Sequence, residues 1–148
     1  MDNPEFYEFL SVYPQEVQDI AIWLSNFVWQ LYPQCNELVY DNYNALAFGP
    51  SLTDKAGDVF CSMAVFAKHV NFGFNRGSEI QDPSSVLEGN GSLYRYVTVK
   101  NINQFPAQEI KLLLKDAYDN AFSRLKGKPT CAGISITKSI SPVKKRPK

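Results

Sequence analysis

The chain has 148 residues, 45% of them hydrophobic and 14% aromatic, enough to bury a single core without help from a disulfide or a structural metal. Fifteen Lys and Arg balance fifteen Asp and Glu, but seven of those cations lie in residues 126–148 beside no acid, so residues 1–125 carry eight cations against fifteen acids, a net −7. An acidic globule repels phosphate backbones, which argues against nucleic acid as a partner of the folded part, and no uncharged apolar run approaches the roughly 18 residues that span a bilayer.

Taken in chain order, Asn3 and Pro4 read as an N-cap followed by Pro at the first helical position, opening a helix of about two turns that the Tyr13-Pro14 step ends. A second helix follows, with Val17, Ile20, Ala21, Leu24, Phe27, Val28 and Leu31 at three-and-four spacing, closed near Tyr32 by Pro33. The period then changes. Segments 37–41, 44–48, 59–66, 70–74 and 94–99 are short and rich in β-branched and aromatic residues, and read as five strands. Gly49-Pro50-Ser51 is expected to be the loop between the second and third, and links this short favour antiparallel neighbours.

The connection from Arg76 to Ser92 is long, with one helical turn expected over Pro83 to Leu87, and long structured connections often carry function. A third helix is expected from about Asn103 to Lys126, striped by Ile110, Leu113, Leu114, Ala117, Ala121 and Leu125, with Gly127 as its stop. The expected organisation is an α+β domain over residues 1–127, in which an antiparallel five-stranded sheet carries helices on one face. Residues 128–148 read as a disordered basic tail, since their composition buries too little apolar surface to offset ordering.

Few residues offer chemistry. Cys35, Cys61 and Cys131 show no metal or redox spacing and read as free thiols in a reducing cytoplasm, Cys61 as a buried inert one. His69 is the single histidine, which excludes paired-histidine zinc sites and leaves any histidine-dependent catalysis to a turn between two strands. Alternation puts His69, Asn71 and Gly73 on a polar strand face of little bulk, where a gap at Gly73 would admit a ligand unless a ring such as Tyr94 or Tyr96 covers it. Arg95 shares its parity with Leu93, Val97 and Val99 and therefore needs a partner, with Glu88, Asp82 and Asp41 as candidates. Gly89-Asn90-Gly91 lacks the Lys-Ser or Lys-Thr of a phosphate loop and reads as a turn. Asp2, Glu5, Glu8, Glu16 and Asp19 are oxygen donors that would hold a hard cation weakly, or are simply solvated; Lys144-Lys145-Arg146 resembles a polyanion-binding or nuclear-import patch.

The run His69-Val70-Asn71-Phe72-Gly73-Phe74-Asn75-Arg76-Gly77-Ser78-Glu79-Ile80-Gln81-Asp82-Pro83, followed by Leu87-Glu88-Gly89-Asn90-Gly91 and Arg95, resembles the signature of the YdhG-like bacterial family of unknown function. Val39-Tyr40-Asp41 and Asn44-Ala45-Leu46 are similar to its earlier strand pair, and the resemblance extends over about residues 5–126. Ser92, Leu93 and Tyr96 stand where basic residues and a histidine are common in that family. The resemblance implies a two-layer fold and a bacterial cytoplasmic protein, and one member of the broader family is described as a frataxin-like iron chaperone, which makes iron the candidate cofactor.

Three functional readings follow. The leading one is a non-enzymatic module that binds a small molecule or protein partner through His69, Asn71, Gly73, Arg76, Asp82, Glu88 and Arg95. The second is iron binding through the N-terminal carboxylates for delivery to a partner. The third is an enzyme using His69 with an acidic neighbour, for which no nucleophile and base stand at useful spacing.

Overall fold

The computed structural model describes residues 3–144. Pro4 opens α1 (Pro4–Leu10), whose missing amide hydrogen is harmless in the first turn. Asn3 occupies the N-cap position with extended backbone, yet its side chain makes no capping bond. Instead its amide donates to Ser135 Oγ at 3.1 Å and Thr137 Oγ1 at 3.2 Å. Pro14 then precedes α2 (Gln15–Leu31), which buries Val17, Ile20, Ala21, Leu24, Phe27 and Val28 along one stripe.

Six strands follow: β1 (Asn36–Asp41), β2 (Leu46–Ser51), β3 (Cys61–Val65), β4 (Val70–Phe74), β5 (Arg95–Val99) and, after α3 (Ala107–Arg124), β6 (Ser135–Ile140). The sheet order is β5-β4-β3-β2-β1-β6. The first five strands form an antiparallel meander, as expected from their short links. The expected five-stranded antiparallel sheet is corrected by β6, which pairs parallel to β1 and makes the sheet mixed. Part of the expected disordered tail is therefore ordered, because its polar side chains find partners on β1 rather than an apolar core. Lys145 and Arg146 lie outside the described residues.

Two smaller expectations also change. Gly49, Pro50 and Ser51 belong to β2 rather than to a loop, paired to Leu38, Glu37 and Asn36. Pro50 is tolerated because the β2–β3 ladder covers only Leu46 to Phe48, and beyond it the Pro50 carbonyl accepts from Phe60 N at 3.2 Å. Pro83 and Ser84 form a turn rather than a helical turn, while a short 3-10 helix spans Gly77–Glu79.

Strand alternation separates two faces. Val39, Phe48, Met63, Phe72 and Val97 stand opposite one another across neighbouring strands and point into the helices. Phe72 meets Phe27 of α2 and Phe105 ahead of α3, and Phe48 meets Phe6 of α1, all edge-on or tilted. From α3, Ile110, Leu113, Leu114 and Ala117 complete the layer. Full burial of such side chains contributes about 1.5–3 kcal/mol each, so this single helical coat supplies the main stabilisation. Among the described residues no helix is long and apolar enough to cross a membrane.

Candidate functional site

The other face of the sheet has no helical cover. Its central row, read across five strands by register, is Tyr40, Ala47, Ala64, Asn71 and Thr98. All five are only partly buried. The middle of the row is small, so the face forms a shallow trough whose central row carries no charged side chain.

His69 and Asn71 lie on this side. The Phe66 N–H donates to the His69 carbonyl at 2.9 Å, closing the β3–β4 turn, and the imidazole stacks on the Phe66 ring with centroids 5.0 Å apart. Partial burial, and then the positive charge of Lys100, lower the His69 pKa from its usual 6.5. The ring is thus neutral near pH 7 and stands beside a cation rather than a carboxylate. Asn71 is held by Thr98, whose hydroxyl donates to Asn71 Oδ1 at 3.1 Å. That leaves the Asn71 amide as the donor facing the trough.

The gap at Gly73 is filled. A Cβ there would collide with the hydroxyl end of Tyr94, so a tyrosine lid replaces the missing side chain. Tyr94 keeps 39% of its surface exposed, while burial of its phenol end pushes the pKa up to about 12. Tyr96 stacks on Tyr94 with centroids 5.7 Å apart, forming an aromatic rim along the β5 edge. Tyr94 and Tyr96 are legible in the sequence as rings of one parity. Tyr40, Ala47, Ala64 and Thr98 were missed, and their signal is the small or hydroxylated residue at alternate positions of each strand.

Arg76, Asp82 and Arg95 are not brought to this trough, whereas Glu88 stands at its β5 edge. Arg76 pairs with Glu79 through two hydrogen bonds of 2.8 and 2.7 Å, and Asn120 of α3 also donates to Glu79. These bonds hold the Glu79 carboxyl down at about 2. Arg76 lines a different feature, a small cleft between Gly57–Phe60, Phe74 and the Ala117, Asn120 and Arg124 side of α3. Asp82 organises its own loop, accepting from Val86 N at 3.1 Å and Leu87 N at 2.9 Å. The Glu88 main chain exchanges two hydrogen bonds with Tyr96, at 2.8 and 3.0 Å, and so covers part of the β5 edge.

Arg95 does start from the helix-facing parity, opposite Phe74. It takes no acid partner, however. Its guanidinium donates to the main-chain carbonyls of Gly91 at 2.7 Å and Tyr94 at 2.8 Å, because β5 is an edge strand and the side chain can turn back over the preceding loop. The expected ion pair with Glu88, Asp82 or Asp41 is replaced by these carbonyls, and Arg95 acts as a clamp on the Gly89–Tyr94 segment.

Thiol and metal chemistry find little support in the geometry. Burial pushes the Cys35 thiol up to about 12 and the fully buried Cys61 well above 9, so neither is a thiolate at neutral pH. Glu5, Glu8 and Glu16 are exposed and Asp19 accepts from Gln15 at 2.8 Å. Among the described residues no three His, Cys, Asp or Glu groups converge on a common point; Asp2 lies outside the described residues. Comparison with known proteins finds no matching family model, no matching curated protein and no matching solved structure.

Proposed function

We propose that this chain is a non-enzymatic binding module of the YdhG-like type whose contact surface is the helix-free trough of the sheet. The observation that carries the reading is the combination of a small-centred row, Ala47, Ala64 and Asn71, with the Tyr94–Tyr96 stack along one side. A trough with a flat aromatic rim, an amide donor and no charged side chain in its central row suits a flat, largely uncharged group able to accept a hydrogen bond from Asn71. The neutral His69 ring, with Phe66 on one side and Lys100 nearby, fits the same role as a polar contact at the end of the trough. Catalysis is the weaker reading, since the imidazole has a cation near it where a base would need an orienting carboxylate.

The test is amide chemical-shift mapping of the full chain against a library of small heteroaromatic and metabolite probes. Shifts should gather at Asn71, Tyr96, Thr98 and His69, and Asn71→Leu should abolish them without lowering the melting temperature by more than a few degrees. Shifts confined to Arg76, Asn120 and Arg124 would move the site to the α3 cleft and defeat the proposal.

A further inference from the structure

We propose that residues 131–144 are a releasable strap, and that the β1 edge beneath them is a strand-addition site whose alternative occupant is the same segment of a second copy of the chain. The geometry points to this through what holds β6 and what does not. Among the described residues, none from 126 to 144 belongs to the hydrophobic core cluster.

The strap is held by main-chain pairing to β1 and by a line of polar contacts. Asn36 Oδ1 accepts from Ala132 N at 2.9 Å and Ile134 N at 3.4 Å. Ser135 donates to Glu37 Oε1 at 2.9 Å, while Asn3 reaches Ser135 and Thr137. Ser141 N donates to the Asp41 carbonyl at 2.8 Å, and the Lys144 ammonium pairs with the buried Asp41 carboxylate, 5.6 Å above the Phe9 ring. Polar contacts of this kind exchange for water on opening, so β6 should open well below the free energy of global unfolding.

Opening would uncover the main-chain donors and acceptors of β1 beside Leu38 and Val39, both fully buried when the strap is docked. An unpaired apolar edge is a template for another strand. The site also selects its occupant: Glu37 and Asn3 read Ser135, Asn3 reads Thr137 two residues on, and Asp41 reads a cation farther along, Lys144. A second copy supplies that spacing without alteration, and reciprocal exchange closes as a two-fold dimer. The connection after Arg124 can swing outward. It carries positive φ at Gly127 (102°), and its six residues before the strap reach about 20 Å if extended.

Three measurements on the full chain test this. In hydrogen exchange of the wild type, β6 amides should exchange at least about 100-fold faster than those of β3 and β4; equal protection would overturn the strap. In Ile136→Pro, which removes one strand donor to β1, β3–β4 protection should persist and a labelled peptide of residues 130–144 should bind saturably, at least about tenfold tighter than to the wild type, where the tethered strap competes. Unfolding of the variant, absence of binding, or equal binding of a scrambled peptide would overturn the proposal. Finally, sedimentation of the wild type should show a dimer emerging toward millimolar concentration; a monomer throughout would remove the second copy as occupant.

Discussion

Ser25, on the buried side of α2, donates a 2.6 Å hydrogen bond to Oε2 of Glu37 in β1. The second carboxyl oxygen accepts from Ser135 of β6 at 2.9 Å. One buried acid therefore joins the helical layer, the penultimate strand of the sheet and its edge strand. Burial raises the Glu37 pKa from its ordinary 4.5, and the two serine hydroxyls pull it partly back. Ser25→Ala removes one donor to a buried carboxyl, for an expected loss of about 1–3 kcal/mol. Urea denaturation at neutral pH measures this, and an unchanged midpoint would show that Ser25 is dispensable.

The same carboxyl sets a pH dependence with a defined sign. A native pKa above the unfolded one means that the folded chain keeps the proton after the unfolded chain has released it. The associated stability is fully present below about pH 4.5 and is lost as pH rises through the native pKa, with a slope of at most about 1.4 kcal/mol per pH unit. Glu37→Gln should flatten this limb and leave the protein at least as stable as the wild type on its high-pH side. Denaturation profiles of the two proteins decide it: parallel curves would assign the slope to other groups.

Two strand glycines should differ in tolerance. At Gly49 a Cβ would strike the main-chain carbonyl of Cys61, whereas at Gly73 it would strike the phenol end of Tyr94. Backbone in the middle of a sheet cannot yield, but a tyrosine ring can swing. Gly49→Ala is expected to lose several kcal/mol or fail to fold, and Gly73→Ala about 1–3 kcal/mol. Gly73→Ala should also release the lid, so that the Tyr94 phenol titrates nearer 10 than its native value of about 12. Ultraviolet difference titration reads the change, and an unmoved phenol would mean that Gly73 does not seat the lid.

The His69 ring should titrate below 6.5 by NMR. Burial is the larger cause and Lys100 the smaller, so Lys100→Ala should raise the value while leaving it under 6.5. A native pKa above 6.5 would indicate an acidic neighbour and reopen catalysis. Because the neutral ring is the one favoured in the fold, its contribution to stability is present above pH 6.5 and is lost as pH falls through the native pKa.

Much of this architecture is legible locally. The stripe from Val17 to Leu31 and the one from Ile110 to Leu125 yield α2 and α3, since a helix aligns residues three and four apart whatever surrounds it. The alternation through Val70, Phe72 and Phe74 gives β4 with its observed ends, and it already puts His69, Asn71 and Gly73 on the side away from Phe72. The Arg76–Ser92 connection was legible as ordered, yet the destinations of Arg76, Asp82 and Arg95 were not, because a loop carries no period from which to read direction.

What local pattern could not supply is whatever rests on partners far away in the chain. Ser135 to Ile140 has the composition of a solvated tail and becomes a strand because β1, about a hundred residues earlier, pairs with its main chain and Glu37 accepts from Ser135, while Asn36 and Asp41 hold the residues on either side. Asn3 looks like a helix cap and serves that distant strand instead. Periodicity assigns a residue to a face; the identity of its neighbour across that face depends on how remote segments come together, and hydrogen bonds and ion pairs act only at that close range.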